Sequence, residues 1–120
     1  MSNIKECLSD LMAIDGALAA ALVDFQSGMS LGAVGSSDIN LEVAAAGNSE
    51  VIKAKLKVMA NLGLKDEIED ILISLGKQYH LIRLSKTHNN LFFYFVLSKQ
   101  NANLALARHK LADTESKVVV

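Results

Sequence analysis

The run Leu91-Phe92-Phe93-Tyr94-Phe95-Val96-Leu97 sets the strongest limit on what this chain can become, with seven apolar residues in a row holding four of its six aromatics. A strand with one wet face alternates apolar and polar side chains, whereas a strand covered on both faces reads as a continuous apolar run. Thr87-His88-Asn89-Asn90 precedes the run and Ser98-Lys99-Gln100 follows it. Its length and its Phe, Tyr and Val content favour strand over helix. A strand buried on both faces needs helices on each side of its sheet. The chain is therefore expected to form a three-layer α+β domain with residues 91–97 near the centre.

Proline is absent from all 120 residues, where average usage would supply about six. Turns must then fall on Gly, Asn, Asp and Ser, and those residues separate eight periodic segments. Ser2 or Asn3 can cap a first helix reaching about residue 13, with Ile4, Cys7, Leu8, Leu11 and Met12 on one face. Gly16 opens a small-residue strand to about Val23. Asp24-Phe25-Gln26-Ser27-Gly28 turns the chain, with Gly28 free to take a positive φ, and a second strand runs over 29–34. The loop Gly35-Ser36-Ser37-Asp38 ends in residues able to cap a long helix over 39–62, which Asn61 and Gly63 close in the manner of an αL cap. Strands over 67–75, 77–84 and 90–98 follow. A last helix over 101–113 places Leu104, Ala107, Arg108 and Leu111 at helical spacing. Residues 114–120 lack capping or turn logic and are expected to be a flexible tail on a single domain over 1–113.

The long helix carries two apolar stripes. At 100° per residue, Leu41, Ala45, Ile52, Leu56 and Met59 align, and Gly47, Val51, Ala54 and Val58 form a second row rotated from the first. Glu42, Ser49, Lys53 and Lys57 are read as the wet side, while Asn48 and Lys55 interrupt the apolar arc. One stripe suffices to pack on a sheet. The second is either surplus core or a surface that meets another molecule.

In this order the segments resemble the roadblock/dynein light-chain family in its compact bacterial form, over residues 4–111. Gly16-Ala17, Leu22-Val23-Asp24 running into Ser27-Gly28-Met29, Ala44-Ala45-Ala46, Ile71-Leu72-Ile73 and Asn103-Leu104-Ala105-Leu106-Ala107-Arg108 carry the likeness. The resemblance implies a roadblock-like (profilin-like) α-β-β-α-β-β-β-α fold. Its five-stranded antiparallel sheet would have the order 2-1-5-4-3, with helices on both faces. It also implies a homodimer that pairs the third strands and packs the two long helices together. Val43, Gly47, Val51, Ala54 and Val58 of the helix, with Ile71 and Ile73 of the strand, would form that interface. Glu42, Glu50, Lys53 and Lys57 would rim a surface for a protein partner, most naturally a Ras-like small GTPase.

Residue chemistry points away from catalysis. There is no Gly-x-x-x-x-Gly-Lys-Ser/Thr loop, and Gly32 and Gly35 do not make a dinucleotide fingerprint. His80, His88 and His109 with the lone Cys7 lack metal-ligand spacing. No nucleophile elbow is present, and no cofactor or enzyme activity is expected. Asp66, Glu67, Glu69 and Asp70 read as a solvated loop and strand end, and Asp15 and Asp24 as turn residues. His88 reads as a solvated turn residue and His80 as a strand-face residue near Tyr79. The only arginines, Arg83 and Arg108, fall in a strand and a helix rather than on a protruding loop. A net charge of −1 with dispersed charges argues against a nucleic-acid stripe. No apolar stretch approaches the roughly 20 residues of a membrane span. The N-terminus does not read as a signal peptide, and a single cysteine fits a reducing cytoplasm. The expected role is a non-catalytic homodimeric regulator or scaffold. A small-ligand sensor or a structural subunit of a larger complex are the alternatives.

Overall fold

Every element anticipated from the sequence is present, in the same order, in a computed structural model that describes residues 2–36 and 38–120. They are α1 (Ile4–Met12), β1 (Ala17–Asp24), β2 (Met29–Gly35), α2 (Leu41–Asn61), β3 (Asp70–Ser74), β4 (Gln78–Leu84), β5 (Leu91–Ser98) and α3 (Leu104–Lys117). Met1, where the leader reading began, and Ser37 of the predicted loop lie outside the described residues. The strands form one antiparallel sheet in the order β2-β1-β5-β4-β3. Central β5 is buried from Leu91 through Leu97.

Period-two alternation divides β5 between two cores. Phe93, Phe95 and Leu97 pack with Leu11, Leu22 and Leu111 beneath α1 and α3. Phe92, Tyr94 and Val96 pack with Ala45 and Ile52 beneath α2. The aromatic run thus supplies both layers at once, which is why it contains no polar residue.

The turns follow the expected chemistry. Gly28 sits at φ 77°, and the Asp24 carboxylate accepts from the Gln26 and Ser27 amides. Gly63, at φ 69°, ends α2. Its amide bonds the Ala60 carbonyl and that of Leu64 bonds Met59, the paired pattern of a Schellman motif. The N-terminal cap of α2 is Asn40, not the Ser36–Asp38 side of the loop. Its Oδ1 accepts from the Val43 amide at 3.1 Å. Asn40→Ala is expected to cost about 1 kcal/mol, read as a lower urea midpoint with an unchanged slope.

Several boundaries and assignments differ from expectation for long-range or local polar reasons. Asn3 does not cap α1 with its side chain. Instead Nδ2 donates to the Lys117 carbonyl at 2.8 Å and Oδ1 accepts from the Val119 amide at 2.6 Å. Correspondingly, α3 does not stop at Asp113. It continues to Lys117, whose ammonium lies 3.0 Å from Asp113 one turn back, and Thr114, Glu115 and Val118 are buried. Residues 114–120, read as a loose tail, therefore hold the last turn of α3 and a segment packed on α1. Strand β3 is shorter than the expected 67–75: before Asp70 only the Glu69 carbonyl still meets β4, accepting from the Leu84 amide at 3.3 Å, and the Asp66 carboxylate accepts from the Glu67 amide at 2.8 Å. Ser49 is buried, not wet. It lies four residues after Ala45 and three before Ile52, on the packing face, and its hydroxyl donates to the Ala45 carbonyl at 2.6 Å.

Candidate interaction surface

Helix α2 is clamped to the sheet by its first stripe and leaves its second open. Ala45 and Ile52 lie in the core with Leu41 and Leu56 packed against it, and Met59 is buried. On the outer side Val43, Val51 and Val58 are 66, 39 and 46 % exposed, and Gly47 and Ala54 are exposed between them. Successive steps of four, four, three and four residues keep these five in one row along the helix. Apart from its chain neighbours and the helix's own backbone, no described atom lies within 4 Å of where a Gly47 Cβ would stand. The close approach that a mid-helix glycine permits is thus not made within this chain.

Charges flank the row. Glu42, Glu50, Lys53 and Lys57 are exposed. Lys53 lies 3.6 Å from Glu50 and donates to the Gln26 carbonyl at 3.3 Å, tethering the helix to the β1–β2 turn. An exposed pair of this kind contributes little to stability.

The sheet has two edges, β2 and β3; α2 makes its close backbone approaches to β2 and β1, while β3, at the far edge, pairs only with β4. Its outer backbone is therefore open to another strand. Ile71 and Ile73 are half-buried on the α2 side, and Ile71 packs against that core. On the opposite face Asp70 anchors the strand. Its carboxylate takes a two-pronged contact from Arg108, at 2.9 Å from Nη2 and 3.1 Å from Nε, and Arg83 Nη1 stands 3.9 Å away. Asp70 and Arg83 are only 15 and 13 % exposed. This corrects the solvated reading of Asp70, whose partner lies 38 residues away in α3. Sequence reasoning missed the cluster. The available signal was the odd placement of a carboxylate at the mouth of an apolar strand. Glu69, by contrast, stays exposed, 3.9 Å from Lys86.

Beneath α2 a polar chain crosses the core. The Tyr94 hydroxyl lies 3.0 Å from His80 Nδ1, and His80 Nε2 lies 2.9 Å from Gln78 Oε1. Asn48, read as an interruption of the apolar arc, turns its Nδ2 back to the Ala44 carbonyl at 2.8 Å. His80 is thus a strand-face residue, as expected, with its ring edge-on to Tyr94 rather than engaged with Tyr79. Burial lowers the His80 pKa. Burial also raises that of Tyr94.

Other chemistry is sparse. Among the described residues no group of three or more His, Cys, Asp or Glu side chains could hold a metal ion. Cys7 is buried and its thiol pKa is pushed up by burial and by Asp10 and Glu6, the reverse of an activated thiolate. An open apolar groove of about 630 Å³ runs between α1 and β2, lined by Ile4, Leu8, Met12, Leu31 and Val34. No helix of the described residues is long and apolar enough to cross a membrane.

No family model and no curated protein matches the sequence. Solved structures do match in shape. A roadblock/LC7 domain from Streptomyces avermitilis aligns with TM-score 0.82 at 12% identity, covering 96% of this chain and 93% of that one. MglB of Myxococcus xanthus aligns with TM-score 0.80 at 14% identity, over 95% of this chain and 92% of that one. A structure of MglB with a tetrameric arrangement aligns with TM-score 0.75 at 15% identity, over 97% and 90%. The chain has the roadblock/LC7 fold, as the sequence resemblance implied.

Proposed function

We propose that this chain is a non-catalytic regulatory module that works as a homodimer and binds a Ras-like small GTPase. The observation that carries the reading is the open apolar row of α2, on the sheet face where Ile71 of the unpaired edge strand β3 joins the same core. Two chains related by a two-fold axis bury both features together. Edge strands β3 would pair into a ten-stranded sheet through Ile71 and Ile73. Val43, Gly47, Val51, Ala54 and Val58 would pack against their own copies, with Gly47 admitting the close backbone contact. The fold neighbours support the reading, since they include MglB proteins and one of those has a tetrameric arrangement.

Pairing the long helices builds a composite surface that a single chain lacks. Glu42, Glu50, Lys53 and Lys57 rim it and would tune the association rate and its salt dependence more than final affinity. The chain's two arginines both engage Asp70. Stabilising charge on a transferring phosphate requires an arginine free to reach into the partner's site. Any effect on nucleotide hydrolysis would therefore come through reshaping the partner rather than through a finger from this chain.

Light scattering at micromolar concentration is expected to report a dimer of the 12.9 kDa chain, and a stable monomer would overturn the proposal. Val58→Asp should shift the mass to the monomer, because two like charges would be desolvated near the two-fold axis. In pull-downs from the source cell the parent should recover a small GTPase and Val58→Asp should not. Equal recovery by both would refute the dependence on the dimer. Retention of a small metabolite without any GTPase would favour the sensor reading, with the groove between α1 and β2 as its site.

A further inference from the structure

Strand β2 is the second edge of the sheet, and its side chains do little to guard it. Exposed edges are normally blunted by charged residues or proline, and Met29–Gly35 contains neither. The direction of its backbone groups follows from one bond. The Ser36 amide donates to the Leu18 carbonyl at 2.9 Å, so Ser36 faces β1. Residues of an antiparallel pair face their partner alternately, and Val34, opposite Ala20, is the next to face β1. Ala33 therefore turns its N–H and C=O away from the sheet. Among the described residues, no backbone group outside the β1–β2 ladder bonds either of them. Pairing is regular over 32–35, and the irregularity that leaves Leu31 without a register partner lies before this stretch.

The space beside this open edge is apolar and roofed by α1. Val34 stands on the same sheet face as Ala20, which packs in the α1 core. Gly32 lets the helix down onto the strand, since a Cβ there would stand 3.0 Å from Ile4 Cγ2 and 3.1 Å from Leu8 Cδ1. A strand laid along β2 would pass under the outer flank of α1, with every second side chain against Leu8, Met12 and Val34. Lys5 is the one charged residue lining this groove, and it is exposed.

We propose that β2 and the flank of α1 form a docking site for an extended segment of a partner protein. The segment adds a strand to the sheet, sets alternate apolar side chains in the groove and places a carboxylate against Lys5. A helix in the groove would leave the Ala33 N–H and C=O unpaired, whereas an added strand bonds both. A second copy pairing β2 with β2 about a two-fold axis would turn one Lys5 flank toward the other, with no carboxylate lining either groove. An acidic, alternately apolar segment meets both demands. Strand β3 takes no part, so the site does not rest on the dimer reading.

The probe is a capped synthetic peptide, Glu-Thr-Val-Thr-Leu-Thr-Glu, whose Val, Leu and two Glu side chains share one face when it is extended. Added to the full-length chain, it is expected to shift the NMR signals of β2 and α1 saturably below about 1 mM. The Ala33 amide should gain about tenfold or more in protection from hydrogen exchange. Lys5→Glu should weaken this peptide about fivefold and favour the same peptide carrying Lys at both ends. Ala33→Pro removes the outward N–H and keeps the groove, a change the open side of an edge strand accepts. With its circular dichroism unchanged, it should abolish binding. If that variant fails to fold, the Ala33 protection and the Lys5→Glu reversal decide the question. No binding at about 1 mM, or binding without protection of Ala33, would overturn the proposal. Parental affinity in a folded Ala33→Pro chain would do the same, by showing that the groove alone suffices. If Val58→Asp remained a dimer that Ala33→Pro dissociated, the edge would belong to a second copy and the proposal would fall.

Discussion

Phe93→Ala is expected to destabilise the domain by about 3–5 kcal/mol, a large part of the 5–15 kcal/mol that typically holds a single domain folded. Phe93 is fully buried on the central strand, with Leu22 of β1 and Arg83 of β4 as its register partners. It points into the core shared with α1 and α3, where Leu11, Leu81 and Leu111 surround the position. Neighbours fixed on three elements cannot collapse into the space a truncated ring leaves, so the cavity persists and its cost adds to the lost transfer energy. At about 4 °C per kcal/mol for a chain of this size, the melting temperature should fall by more than about 10 °C. A fall of under about 4 °C would contradict the two-sided burial of β5. Leu72→Ala, on the exposed edge strand, serves as the contrast and should stay within about 1 kcal/mol of the parent.

The same strand shows why so much of the architecture was legible in advance. An unbroken apolar run admits one explanation, a strand covered on both faces, and its alternation assigned Phe93 and Phe95 to one layer and Phe92 and Tyr94 to the other. Those features depend on spacing within a few residues. Gly28 and Gly63 were equally local, because a backbone that must take a positive φ leaves a glycine behind. The outer row of α2 could be recognised as surplus to one sheet, and in the fold it does lie open.

What sequence reading missed was polar and distant. By local pattern Ser2 or Asn3 can cap α1, yet the Asn3 side chain is spent on Lys117 and Val119, at the far end of the chain. Thr114 and Glu115 looked like the start of a loose tail because polar residues end an apolar period. Their burial depends on partners such as Ser85, whose hydroxyl lies 3.3 Å from the Glu115 carboxylate. Ser49 was misplaced although its spacing from Ala45 and Ile52 put it on the packing face. A hydroxyl can be buried there at little cost because it bonds the carbonyl one turn back. The apolar row of α2 follows from period alone. The anchoring set of Asp70, Arg83 and Arg108 does not, since no local pattern links β3 to α3.

That anchoring set makes the second large expectation. Asp70→Ala should cost about 3 kcal/mol, the low end for breaking a buried ion pair by removing one partner. Both arginines would lose their shared carboxylate, but the loss is unequal. Arg108 is 49 % exposed and can turn to water. Arg83 cannot, because its Nε is already buried without a partner. Arg108→Ala should accordingly cost about 1 kcal/mol, since it removes a half-exposed partner and leaves Asp70 beside Arg83. Strand β3 is five residues long and pairs on one side only, so Asp70 ties that edge to α3 through Arg108. Loosening it should expose the β3 amides to hydrogen exchange well before β4 or β5 opens. If β3 is also the strand that joins two chains, Asp70→Ala should weaken the dimer without touching the α2 row. Dimer dissociation measured beside Val58→Asp separates the two contributions. Unchanged β3 exchange in Asp70→Ala would show that the edge is held by its pairing with β4 alone.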